Sequence, residues 1–92
     1  MDIFAQIADR IINEQQNIIG PVALEQAQKV PGLTIDIKTH TVTLEGNKKE
    51  IIEKLFMTFH DLFGPASDYV SKSAVREMIT QVPKDQIPQV LL

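Results

Sequence analysis

Apolar residues at the start of the chain recur with the spacing of a helix. Ile3, Ile7 and Ile11 form one row, and Phe4, Ala8 and Ile12 form the row beside it. The pattern predicts a helix from Asp2, a good N-cap residue, to about Asn17, with Asp9, Arg10, Asn13, Glu14 and Gln16 on its polar side. Gly20 ends this section. Pro21 suits the first turn of a second, shorter helix, on which Ala23, Leu24, Ala27 and Val30 make a weaker stripe. Pro31-Gly32 then turns the chain.

The periodicity next changes from helical to alternating. Leu33, Ile35 and Ile37 alternate with Thr34, Asp36 and Lys38, and Val42 and Leu44 alternate with Thr41, Thr43 and Glu45. Alternation of this kind predicts two strands, each with one buried face, joined in a tight hairpin around Thr39 and His40. Asn47 and Glu50 form a capping-box-like start to a third helix. Ile51, Ile52, Leu55, Phe56, Phe59, Leu62 and Phe63 follow at helical spacing, the strongest apolar stripe in the chain and the expected centre of the core. Gly64-Pro65 closes it. A fourth helix is expected from Ser67, as cap, to about Gln81, with Tyr69, Val70, Ala74, Met78 and Ile79 on one side. Pro83 and Pro88 forbid a continuous helix after Val82, so residues 83–92 are expected to be either a docked or a flexible tail.

These elements predict one α+β domain over residues 1–92, in the order α-α-β-β-α-α, with an antiparallel hairpin packed on helices. Two strands make a small sheet with two open edges. Pairing of two hairpins edge to edge, or of two copies through the wide face of the first helix, would give a homodimer; the alternative is a monomer.

Composition narrows the function classes. The chain has 92 residues, 43% of them hydrophobic and 23% charged, which is ordinary for a globular protein. It contains no cysteine, so disulfides, thiolate metal sites and a cysteine nucleophile are excluded. A secreted domain of this size usually needs such cross-links, so a cytoplasmic home is expected. The acidic start MDIFAQIADR lacks the basic and apolar regions of a secretory signal, and no apolar run reaches membrane-spanning length. A chain that opens on Met1 is expected to be a complete gene product. A formal net charge of −3 argues against a dedicated nucleic-acid binder.

Chemistry-bearing residues are few. His40 is expected at the hairpin tip. His60 lies near the end of the third helix, where it suits the helix dipole, and its neighbour Asp61 points elsewhere on the helix. Ser67 reads as a cap, and Ser71 and Ser73 as polar-face residues open to phosphorylation. No phosphate-binding or dinucleotide loop and no metal-ligand spacing occurs. Lys48, Lys49, Lys54, Lys72 and Arg76 are interleaved with Glu50, Glu53, Asp68 and Glu77, as on a solvated mixed-charge face. The chain is therefore expected to be non-catalytic, with no cofactor and no metal.

Residues 18–63 resemble the central part of a KH domain, a module that binds RNA and single-stranded DNA. Ile18-Ile19-Gly20 resembles the entry to the family's Gly-x-x-Gly loop, Leu33–Lys38 and Val42–Gly46 its strand pair, and Asn47–Phe63 the following helix. Ala23 stands at the position of the second loop glycine, and no basic residue occupies the loop. The resemblance implies a degenerate single-stranded nucleic-acid binder in which Gly20 and Ala23 mark the loop and Ile35, Ile37 and Lys38 lie near the groove.

The leading expectation is instead a non-catalytic protein-interaction or regulatory module that binds a protein partner or a second copy of itself. Its first candidate contacts are Ile3, Phe4, Ile7 and Ile11. On that reading Ile7→Asp abolishes association and leaves the fold intact.

Overall fold

A computed structural model describes residues 2–92; Met1, the first residue of the expected domain, lies outside the described residues. The fold is α+β, with an antiparallel hairpin packed on helices in the order expected. Helix α1 spans Ile3–Ile19. The Asp2 carboxylate caps it by accepting the Ala5 N–H at 2.8 Å and also holds the Lys48 ammonium. Lys48 and that N–H keep the Asp2 carboxyl below the usual carboxylate range. Helix α2, Val22–Ala27, follows directly after Gly20 and Pro21.

Strands β1 (Leu33–Asp36) and β2 (Thr41–Leu44) pair antiparallel, Leu33 opposite Leu44 and Ile35 opposite Val42 on the inner face. Gly32 is required at the entry. Its φ is +85°, and a Cβ there would meet the Glu45 carbonyl oxygen at 2.7 Å and Ile51 Cδ1 at 2.8 Å.

Helix α3, Lys48–Phe63, starts where the Asn47 side chain accepts the Glu50 N–H at 3.0 Å. Gly64, with positive φ, ends α3 through a 2.8 Å bond from its N–H to the His60 carbonyl. The chain then enters helix α4, Pro65–Val75, at once. Three short 3-10 turns complete the chain: Met78–Gln81, Lys84–Gln86 and Gln89–Leu91.

Helix α1 packs against α2, α3, α4, β2 and the first 3-10 turn. Ile7, Ala8, Ile11 and Ile12 are buried among Ile52, Leu55, Phe59 and Val75. The wide apolar face of α1, expected to dock a partner, is thus the middle of the chain's own core.

Four expectations about individual elements are corrected. Ile37 does not extend β1. The Asp36 carboxylate accepts the N–H groups of Lys38 and Thr39, at 3.0 and 3.4 Å, and this local turn ends the strand. The hairpin loop is therefore Ile37–His40, with His40 at φ +55° and Ile37 exposed. Leu62 and Phe63 belong to the α3 stripe by spacing yet are exposed, because the helix runs past the edge of the core there. Helix α4 begins two residues early, since Pro65 occupies its first turn, and stops at Val75 rather than Gln81. Its inner row is Ser67, Ser71 and Val75, so Ser67 is not a cap, Ser71 is buried, and Tyr69 faces solvent. The tail is docked, with Val82, Ile87 and Leu91 buried.

Burial of Ile7 reverses the expectation for its replacement. Ile7→Asp places an unpaired carboxylate in the core, a change large against the roughly 5–15 kcal/mol that holds a small domain together. The expected outcome is loss of the cooperative thermal transition measured by circular dichroism, whatever the state of association.

Candidate functional site

Polar groups inside the fold gather at one place. Gln15 continues the Ile7–Ile11 row of α1 by one further helical step, where the apolar pattern calls for another hydrophobe, and it is buried. Its Nε2 donates to the Ser67 carbonyl at 3.2 Å, to Ser67 Oγ at 3.1 Å and to Ser71 Oγ at 3.2 Å. The i, i+4 serines of α4 and the i+4 glutamine of α1 therefore form a hydrogen-bonded seam. Their side chains are sealed from solvent, so the cluster fixes how α4 lies on α1 and offers nothing to a ligand. It also closes Ser71 to modification. Ser73 is the exposed serine of α4.

The histidines are separate. His60 Nδ1 lies 2.7 Å from Asp68 Oδ1, across the α3–α4 corner. An ionised carboxylate only accepts, so Nδ1–H is the donor. The partner is Asp68, eight residues on, not the sequence neighbour Asp61; sequence spacing could not show this because Gly64 breaks the helix between them. None of the clefts at the hairpin, along the α1–α4 seam or beside the tail is lined by either residue. The pair acts as a tie between two helices. His40 lines a small cleft of about 70 Å³ between the hairpin loop and α1, together with Asp9, Asn13, Ile35, Asp36 and Ile37. Among the described residues no group of three or more His, Asp or Glu side chains could hold a metal ion.

The residues singled out in the sequence are placed as follows. Ile7 and Ile11 are core, and Ile3 and Phe4 are half-buried against it. Gly20 caps α1 at φ +76°, while Ala23 is buried in α2. Ile35 and Ile37 share the hairpin cleft; Gly20, Ala23 and Lys38 do not line it. Residues 3–17 belong to α1, and the sheet among the described residues has two strands, whereas a KH domain needs three.

Exposed large hydrophobic side chains lie elsewhere, two of them in a groove of mixed polarity. A groove of about 310 Å³ runs along the α1–α4 seam, with Ile18 and Glu14 on one wall and Tyr69, Val70 and Ser73 on the other. Ile18 is 64% exposed and Tyr69 70%. Leu62 and Phe63, 50% and 40% exposed, end α3 at the corner where α4 begins. The groove continues past Arg10 to Arg76 and Glu77. Arg76 caps the C-terminus of α4, and with Lys72 in the last turn it complements the negative end of that helix. Ile18, Leu62, Phe63 and Tyr69 were not singled out as contacts in the sequence. Their spacing is compatible with core, and only the positions of the helix ends separate them from it.

No family model, curated protein or solved structure matches the chain. Among the described residues no helix is long and apolar enough to cross a membrane.

Gln15 provides a direct test of the seam. Gln15→Ala removes the donor and opens a cavity, and is expected to lower stability by about 3 kcal/mol; Gln15→Met keeps most of the volume and is expected to lose about 1–2 kcal/mol. Urea unfolding of both variants measures the difference. Equal stability of Gln15→Met and the parent would mean that the hydrogen bonds to Ser67 and Ser71 contribute nothing.

Proposed function

We propose that the chain is a non-catalytic protein-interaction module that binds a protein partner, another chain or a second copy of itself, through the apolar corner formed by the end of α1, the end of α3 and the start of α4. The observation that carries this reading is the exposure of Ile18 and Tyr69 on facing walls of one groove. Large aromatic and aliphatic side chains held in water on a rigid pair of helices are the usual anchors of protein contacts. Leu62 and Phe63 add two exposed apolar side chains at the end of α3, where α4 begins. A small domain has little apolar surface to spare from its core, so four such residues outside it support a surface meant to be covered. The cysteine-free sequence supports a cytoplasmic setting for this role.

The test separates surface from core. In an Ile18→Lys, Tyr69→Lys double variant the unfolding free energy is expected to stay within about 1 kcal/mol of the parent, since both side chains are solvated. Association is expected to fall at least tenfold, read as light-scattering mass for self-association and as recovery of partner proteins on tagged purification from the native cell. Unchanged association would remove the corner from consideration.

A further inference from the structure

The Ser and Thr hydroxyls on the helices and 3-10 turns fall into three groups. Those of Thr58 and Thr80 donate to carbonyl oxygens one turn back, of Lys54 at 2.8 Å and of Glu77 at 2.7 Å. Ser67 and Ser71 are sealed into the Gln15 seam. Ser73 stands apart. It lies in the last turn of α4, it is exposed, and its hydroxyl has no hydrogen-bond partner among the described residues.

Two guanidinium groups border this hydroxyl. The clefts on either side of Ser73, of about 310 and 350 Å³, have three lining residues in common: Arg10, Ser73 and Ala74. Arg10 of α1 therefore reaches the ridge between the clefts, where α4 presents only the small side chains of Ser73 and Ala74. Arg76 follows Ser73 by three residues, lines the second cleft, and keeps helical backbone angles (φ −50°, ψ −45°). Helix geometry places the Cβ atoms of such a pair about 5–6 Å apart. Neither arginine forms an ion pair among the described residues, although Glu14 lies one turn from Arg10 and Glu77 lies next to Arg76. In the second cleft the two arginines face one acidic residue, Glu77.

We propose that Ser73 is a phosphorylation site whose phosphate is held by Arg10 and Arg76. A protein kinase transfers the γ-phosphoryl group of a nucleoside triphosphate to Ser73 Oγ. The Oγ–P bond forms, the bond from the γ-phosphorus to the bridging oxygen breaks, the nucleoside diphosphate leaves, and the hydroxyl proton passes to the base of the kinase. A phosphate in the last turn of a helix is ordinarily unfavourable, because it meets the negative end of the helix dipole. The two guanidinium groups offset this by presenting paired N–H donors to the phosphate oxygens. Arg10 then joins the phosphate on α4 to α1. The modification goes beyond the corner reading, but its consequence rests on it: a dianion one turn from Tyr69 and Val70, on the same groove wall, weakens association with a partner that buries them.

The test uses the full chain with phosphoserine installed at position 73 by amber-codon suppression. Phosphorus NMR follows the second ionisation of the phosphate, which lies at about pH 6 in an unrestrained phosphoserine. It is expected about half a pH unit lower here, since nearby cations favour the dianion. Arg10→Gln and Arg76→Gln are each expected to return it part of the way, and the two together to return it fully. Both arginines are exposed, so the fold, followed by circular dichroism, is expected to persist. Mass spectrometry of the chain purified from its native cell is expected to find phosphate on Ser73 and none on Ser67 or Ser71. An ionisation that the arginine replacements leave unmoved would overturn the proposal, as would a native chain unmodified at Ser73 in growing and in stressed cells alike. Neither readout depends on association, so both survive a failure of the corner reading. Association of the phosphorylated chain is expected to fall several-fold; association equal to the parent's, where the corner double variant loses it, would overturn the link to the groove.

Discussion

Burial of one face of α1 is the constraint on which the remaining structure depends. The row through Ile7 and Ile11 and the row through Ala8 and Ile12 meet the hairpin on one side, α3 beneath, and α4 on the other side. Among the described residues the one sheet has two strands, which alone would be marginal. The stripe of α3 supplies the largest side chain of the core, Phe59, but α1 is what it packs on. Asp2 and Gly20 fix the two ends of that helix, and Gln15 sets its orientation against α4 through two serines.

Burying α1 so completely decides where function can lie. An apolar helix face long enough to bind a partner is indistinguishable, residue by residue, from one that makes a core; in a chain of this length the core takes it first. The apolar residues left for contact include Ile18, Leu62 and Phe63, at the ends of α1 and α3, and Tyr69 on the outer side of α4, besides Ile37, Met57 and Leu92. The tail closes the core at its far end, with Val82, Ile87 and Leu91 buried in the same cluster as the helices.

Most of the architecture was legible in the sequence, because Asp2, Asn47, Gly64 and the two periodicities are local signals and the structure uses each of them. Legibility failed where a long-range or a competing local interaction overrode the pattern. Ile37 continues the alternation, but the Asp36 carboxylate captures the next two N–H groups and ends the strand. Tyr69 looks like a core residue and Ser71 like a surface one, and Gln15 reverses both by drawing the serine row inward. Of the candidate contacts, none of the corner residues was legible, since exposure at a helix end depends on where neighbouring elements stop. The His60–Asp68 tie was hidden by the helix break at Gly64.

Native-state hydrogen exchange tests the central claim most directly. If α1 is the axis of the fold and the tail a peripheral segment closed by short 3-10 turns, the amides of Ile11, Ile12 and Gln15 exchange only through global unfolding, the slowest class in the molecule. The amides of Gln86, Ile87, Leu91 and Leu92 then exchange through a separate opening at lower free energy, with α1 still protected. Exchange of the α1 amides at or before those of the tail would contradict the account.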